Sequence, residues 1–120
     1  MEYKTDKPIY LQIADYICNN IIQNHWRENE RIPSVRDLSV LLGVNPNTVV
    51  RSFDNVEQQG IIYNKRGIGY FVSDDAKQQI LEIYKKDFFT GLLPEVFRKM
   101  KLYGINIEEI NQAYSNQKQI

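Results

Sequence analysis

The chain has 120 residues, with 15 Lys and Arg against 15 Asp and Glu and 42% apolar residues. This fits one average domain, or a small domain with an appendage, and excludes a disordered chain. The longest apolar runs, such as Val40-Leu41-Leu42, fall far short of the ~20 residues of a membrane span. The first six residues lack the apolar core of a signal peptide, and a single cysteine, Cys18, excludes an internal disulfide or a cysteine-based zinc site. The expectation is a cytoplasmic protein with no membrane partner, no metal and no cofactor. A net charge of zero weighs, on its face, against nucleic-acid binding.

The first helix is predicted to begin near Pro8, where a missing N–H does no harm. Ile9, Ile13, Ile17 and Ile21 recur every four residues, with Ala14, Tyr16 and Ile22 widening the buried face. The polar stretch 23–31 ends it. A second helix follows Ser34-Val35-Arg36-Asp37, with Ser34 as cap and Asp37 as the return half of a capping box. Val35, Leu38, Leu41 and Leu42 make its apolar stripe, and Gly43 stops it. The third helix starts most clearly: Asn45 at the cap, Pro46 at the first helical position, then Val49, Val50, Phe53 and Val56. Gly60 closes it.

Two short β-prone runs, Ile61-Ile62-Tyr63 and Tyr70-Phe71-Val72, flank the basic tip Asn64-Lys65-Arg66-Gly67-Ile68-Gly69 and predict a hairpin. Ser73-Asp74-Asp75 then reads as a cap with acids at a helix N-terminus. An apolar stripe continues through Ile80, Ile83, Tyr84, Phe88, Leu92, Val96 and Met100. Gly91 and Pro94 lie inside that stripe, so a kink or short interruption is expected around residues 90–93. Gly104 ends the element, Asn106 caps a last short helix, and the polar tail 115–120 is expected to fray. The division falls at Ser73: residues 1–73 form one domain and residues 74–120 a helical region.

Helix, helix, tight turn, helix and basic hairpin form the layout of a winged helix-turn-helix, mostly α with a small β-hairpin wing. In that layout the second helix of the pair enters the major groove by its N-terminal residues. With Val49, Phe53 and Val56 inward, Asn47, Thr48, Arg51 and Ser52 fall on the outer side. Asn pairs with adenine, and the Thr methyl suits a thymine methyl. Arg51 and the helix N-terminal amides suit phosphate or base. Asn45 reads first as a cap, and Thr48 can also serve the helix end. Arg36 opposes the helix dipole in the first turn beside Ser34, a penalty that a bound phosphate reverses. Lys65 and Arg66, with Gly67 and Gly69, either form a solvated turn or reach a groove.

Ile9-Tyr10-Leu11-Gln12-Ile13, Arg31 through Leu38, Leu42 through Val49, and Gly67 through Val72 resemble the DNA-binding domain of GntR-family bacterial transcription regulators, in order and spacing. Most of that family has Arg where Pro46 stands here. Asn-Pro-Asn-Thr and the short C-terminal region resemble the YtrA-like subfamily. The resemblance implies a homodimer built through the C-terminal helices, binding double-stranded DNA as a repressor, with ABC-transporter operons as frequent targets. It implies DNA contacts from Arg36, Asn47, Thr48 and Arg51 and from a wing near Lys65–Gly69. The candidate DNA face is Ser34, Arg36, Asn45, Asn47, Thr48, Arg51, Ser52, Lys65, Arg66 and Gly67. Two loop glycines usual in the family are Asn24 and Asn29 here, and Asn tolerates the left-handed conformation.

The segment after Ser73 is too short for the large ligand domains most of the family carries. Phe88, Leu92, Val96, Phe97 and Met100 are the candidate dimer interface. Folding back on the winged helix and lining a small effector pocket are the other readings. An enzyme is not expected: His25 is the only histidine and has no second ligand near it in sequence, and Gly67-Ile68-Gly69 lacks a dinucleotide fingerprint. A winged helix used only for protein interaction is the remaining rival.

Overall fold

A computed structural model describes residues 7–117. The N-terminal hexapeptide and the last three residues, where tail fraying was in part expected, lie outside these. In order come α1 (Ile9–Ile22), α2 (Val35–Leu42), α3 (Pro46–Gln58), β1 (Ile62–Lys65), β2 (Gly69–Val72), α4 (Ala76–Asp87), a π-helical turn (Phe88–Leu92), α5 (Leu93–Tyr103) and α6 (Ile107–Ser115). The chain divides into two compact units, one running through Glu82 and the other starting at Ile83.

In the first unit α3 is the hub, packed on α1, α2 and β1. Its Val49, Phe53 and Val56 are fully buried, and Ile13, Ile17 and Ile21 of α1 and Leu38 of α2 are buried with them. Ile13, Ile17 and Ile21 lie a turn apart on one face and are buried together, whereas Ile9, in the first turn and expected on the same face, is 58% exposed. Phe53 meets Tyr70 of β2 edge-on at 4.9 Å, which joins the helix to the hairpin. Ala76 and Ile80 complete this core, so it extends beyond Ser73 into α4.

The helix ends follow local chemistry. Pro8 stands one position earlier than expected, at the N-cap of α1 with ψ 147°. The Ser34 hydroxyl accepts the Asp37 N–H at 3.0 Å. Gly43 ends α2 at φ +67°, where a side chain would meet the backbone. In α2 only part of the expected stripe is inside: Leu38 is buried, whereas Leu41 is 66% exposed. Ser39 is buried beside Leu38, so the inward face of α2 is turned toward Ser39 and Leu41 falls on its outer flank.

Strands β1 and β2 pair antiparallel with Ile62 opposite Val72, Tyr63 opposite Phe71, Asn64 opposite Tyr70 and Lys65 opposite Gly69. The strands reach further into the tip than the β-prone runs predict. The stretch 29–32 also joins the sheet. Asn29 N–H donates to Val72 O (2.7 Å), Val72 N–H to Glu30 O (3.0 Å) and Ile32 N–H to Tyr70 O (2.9 Å). Arg31 bridges to Phe71. Two asparagines, Asn24 (φ +66°) and Asn29 (φ +62°), turn the chain into that edge.

One expectation about the C-terminal region needs correction. The acids at 74–75 precede α4 rather than opening it: Ala76 N–H donates to Ser73 O in a turn, and Asp75 stands at φ +60°. The interruption expected around residues 90–93 lies at 88–92, and the helix continues past Pro94. A regular α-turn would drive its ring into the carbonyl four residues back; the chain instead widens into a π-turn, with Leu93 N–H bonded to Phe88 O. The Thr90 hydroxyl donates to Lys86 O at 2.8 Å in the same turn. Asn106 and Glu109 form a full capping box on α6.

Gly43→Ala is expected to lower stability by about 1–2 kcal/mol through backbone strain alone, since open space surrounds the position. Urea unfolding checks this, and an unchanged midpoint would contradict it.

Candidate nucleic-acid interface

The buried stripe of α3 decides which of its residues face water. Asn47 and Arg51 are exposed and Thr48 is half-buried at the same end. Asn45 caps this end: its side-chain oxygen accepts the Asn47 N–H at 2.8 Å. Its carbonyl accepts from Thr48 (3.0 Å) and Val49 (3.3 Å). Pro46 has no N–H. The first-turn amides are thus already bonded within the cap, a correction to the expectation that they serve phosphate. What this end of α3 offers a ligand is side chains.

Ser52 is a second correction. It is fully buried, so it does not belong to an outer face. Its hydroxyl donates to Tyr10 O at 2.7 Å, with Thr48 O at 3.0 Å. A helical position between Phe53 and Val49 turns toward α1, and a small hydroxyl there fits against the neighbouring backbone where a larger side chain would not. Ser52 therefore holds α3 to α1 and orients the outer face without touching a ligand.

Arg51 lies on the ring of Tyr10, its guanidinium carbon 4.0 Å from the centroid. Such a contact contributes about 0.5–1 kcal/mol at an exposed site and limits the rotamers of Arg51. Sequence reasoning did not single out Tyr10 for this role; an aromatic early in α1, opposite an arginine of α3, was the available signal.

Arg36 is exposed in the first turn, two residues past the Ser34 cap, while Ser34 itself is half-buried with its hydroxyl committed to Asp37. At the wing, Lys65, Arg66 and Gly67 are exposed. Gly67 has φ +77°, and the Lys65 ammonium sits 4.6 Å above the Phe71 ring. The acidic residues of α3 lie toward its other end. Burial first, then Glu57 and Asp54, raise the Tyr70 phenol above its usual value. Tyr70 therefore supports the fold below the ordinary phenol pKa, and that support fades as pH climbs through the raised value.

In the second unit Phe88, Leu92 and Phe97 are 45–55% exposed, and Val96 and Met100 half-buried. Among the described residues no helix is long and apolar enough to cross a membrane, and no cluster of His, Cys, Asp or Glu could hold a metal.

Residues 9–72 match the family described as bacterial regulatory proteins, gntR family. Over 109 residues the chain is 33% identical to YhcF, a helix-turn-helix transcriptional regulator of Bacillus subtilis, covering 91% of this chain and 88% of that protein. It is 28% identical to the transcriptional repressor YtrA of the same organism, covering 91% and 83%. A crystal structure of a GntR-family regulator from Bacteroides thetaiotaomicron superposes with a TM-score of 0.77 at 44% identity, covering 90% of this chain and 94% of that one. The DNA-binding domain of AraR, solved in complex with operator ORR3, superposes at 0.56 and 26% identity over 61% of this chain and 88% of that one.

Ser52→Ala is expected to destabilise the fold by about 1 kcal/mol, the value of one lost hydrogen bond, in urea unfolding. Its folded form is expected to bind ligand as the parent does. A specific loss of binding with unchanged stability would return Ser52 to the interface.

Proposed function

The chain belongs to the gntR family of bacterial regulatory proteins, DNA-binding transcription regulators built on a winged helix-turn-helix, and we propose that it is a homodimeric repressor acting on a two-fold operator in the cytoplasm. Asn47, Thr48 and Arg51 read the major groove, Arg36 holds a phosphate, and Lys65, Arg66 and Gly67 follow the groove beside it. Asn45 serves the interface by fixing the first turn of α3. The observation that carries this reading is the outer face of α3: polar side chains at the N-terminal turn with the helix amides already bonded in the cap. Two kinds of group remain there, one suited to adenine and one to phosphate or guanine.

Repression and the operon target are carried by likeness alone. The relative named a repressor, YtrA, shares most of its length with this chain, and the subfamily resemblance points to an ABC-transporter operon. Dimerisation rests on the second unit. Its helices bury no side chain of their own past the π-turn, and Phe88, Leu92, Val96, Phe97 and Met100 form an apolar set in need of cover. A two-fold pair of residue 74–120 regions supplies that cover and doubles the half-site read by residues 1–73.

Asn47→Ala is expected to weaken the specific site roughly 5- to 150-fold, as loss of a bidentate base contact does, with little change on unrelated DNA. Fluorescence anisotropy on fragments from the protein's own promoter checks this, and equal losses on all sequences would remove Asn47 from base reading. Phe97→Glu is expected to halve the mass in sedimentation; a parent that is already monomeric, or an unchanged mass in the variant, would contradict the dimer surface.

A further inference from the structure

The sheet has two unlike faces. Successive side chains alternate along a strand, and directly paired residues share a face. Ile62, Val72 and Ile32 go to the core. On the other face Tyr63 stands opposite Phe71, Lys65 opposite Gly69, and Arg31 bridges to Phe71. The Tyr63 and Phe71 rings stack at 5.7 Å, 21° from parallel. The Tyr63 hydroxyl donates to the Asn29 side-chain oxygen at 3.1 Å, which fixes the platform to the 29–32 edge.

Arg31 lies across Gly69. Its Nε is 2.8 Å from where a Cβ on residue 69 would stand, and its guanidinium carbon 3.4 Å. Gly69 has φ +145°, so backbone and space both call for glycine. The missing side chain leaves a slot in which the guanidinium is laid down. Arg31 is exposed, and no carboxylate among the described residues forms an ion pair with it. It also stands three residues before Ser34, at the approach to the helix that carries Arg36.

We propose that Arg31, seated on Gly69, is a further DNA contact: a phosphate clamp on the edge of the wing sheet, between the start of α2 and the wing tip. This rests on the DNA-binding reading above. An exposed, unpaired guanidinium presents a planar fork that matches two oxygens of a phosphodiester. Held by Gly69 beforehand, it loses less rotamer freedom on binding. Its partner is backbone and not base, because the guanidinium is laid over Gly69 in the strand, behind the Lys65–Gly67 tip that follows the groove, and does not project from the sheet. The contact positions the wing and carries no sequence information of its own.

The test is anisotropy with the protein's own specific duplex and an unrelated duplex, over a series of KCl concentrations. Arg31→Ala is expected to weaken both duplexes alike, by roughly tenfold on the scale of a charged hydrogen bond. It should also reduce the slope of log K against log salt by about 0.9 for each protomer bound. Arg31→Lys is expected to recover the slope and only part of the affinity, because the charge returns without the fork. An Arg31→Ala slope equal to that of the parent overturns the inference while leaving the DNA reading intact. So does a loss confined to the specific duplex. Failure of the parent itself to bind any duplex in a salt-sensitive way overturns both.

Discussion

The burial of one stripe of α3 is the constraint on which the molecule depends. Val49, Phe53 and Val56 cannot be wetted without losing the contacts that hold α1, α2 and the hairpin around them. Fully burying each such side chain contributes about 1.5–3 kcal/mol. Once that stripe is inside, helical geometry assigns the remaining positions. Asn47 and Arg51 turn to water. Ser52, beside Phe53, turns to the α1 backbone. Phe53 against Tyr70 carries the same constraint into the wing, so the outer face of α3 and the sheet are set by one core.

Net charge proves a poor guide to such a surface. The chain as a whole is neutral, yet Arg36, Arg51, Lys65 and Arg66 are all exposed on the first unit, as is Arg31. Two of the cations rest on aromatic rings, Arg51 on Tyr10 and Lys65 on Phe71. A cation resting on a ring keeps its charge available while its orientation is narrowed, which favours fitted contacts over diffuse attraction. Attraction between exposed charges falls off within about 8–10 Å at physiological salt, so the placement of these few groups outweighs the sum.

Helix order, caps and the inward face of α3 were legible because each has a short-range chemical cause. Asn45-Pro46 and Ser34 declare helix starts, Gly43 and Gly104 declare ends, and Val49, Phe53 and Val56 keep helical spacing. Ser52 was misplaced because spacing alone did not weigh the packing angle of α1, which makes room for a small hydroxyl. The third sheet edge at 29–32 was hidden because Asn29-Glu30-Arg31 has no β-like composition; its pairing is imposed by β2. The response to Pro94 was open between kink and break, and the chain took a π-turn that keeps helical dihedrals on both sides. The seat of Arg31 on Gly69 depends on a register between distant segments, which no local pattern contains.

In the proposed function one surface of the first unit, carrying the start of α3, the start of α2 and the wing, meets DNA. Hydrogen exchange read residue by residue, with and without a specific duplex, tests it most directly. New protection is expected at residues 34–37, 45–51 and 64–69, with no change along the loop that carries His25, Trp26 and Arg27. Protection centred on that loop, with residues 45–51 unaffected, would contradict it.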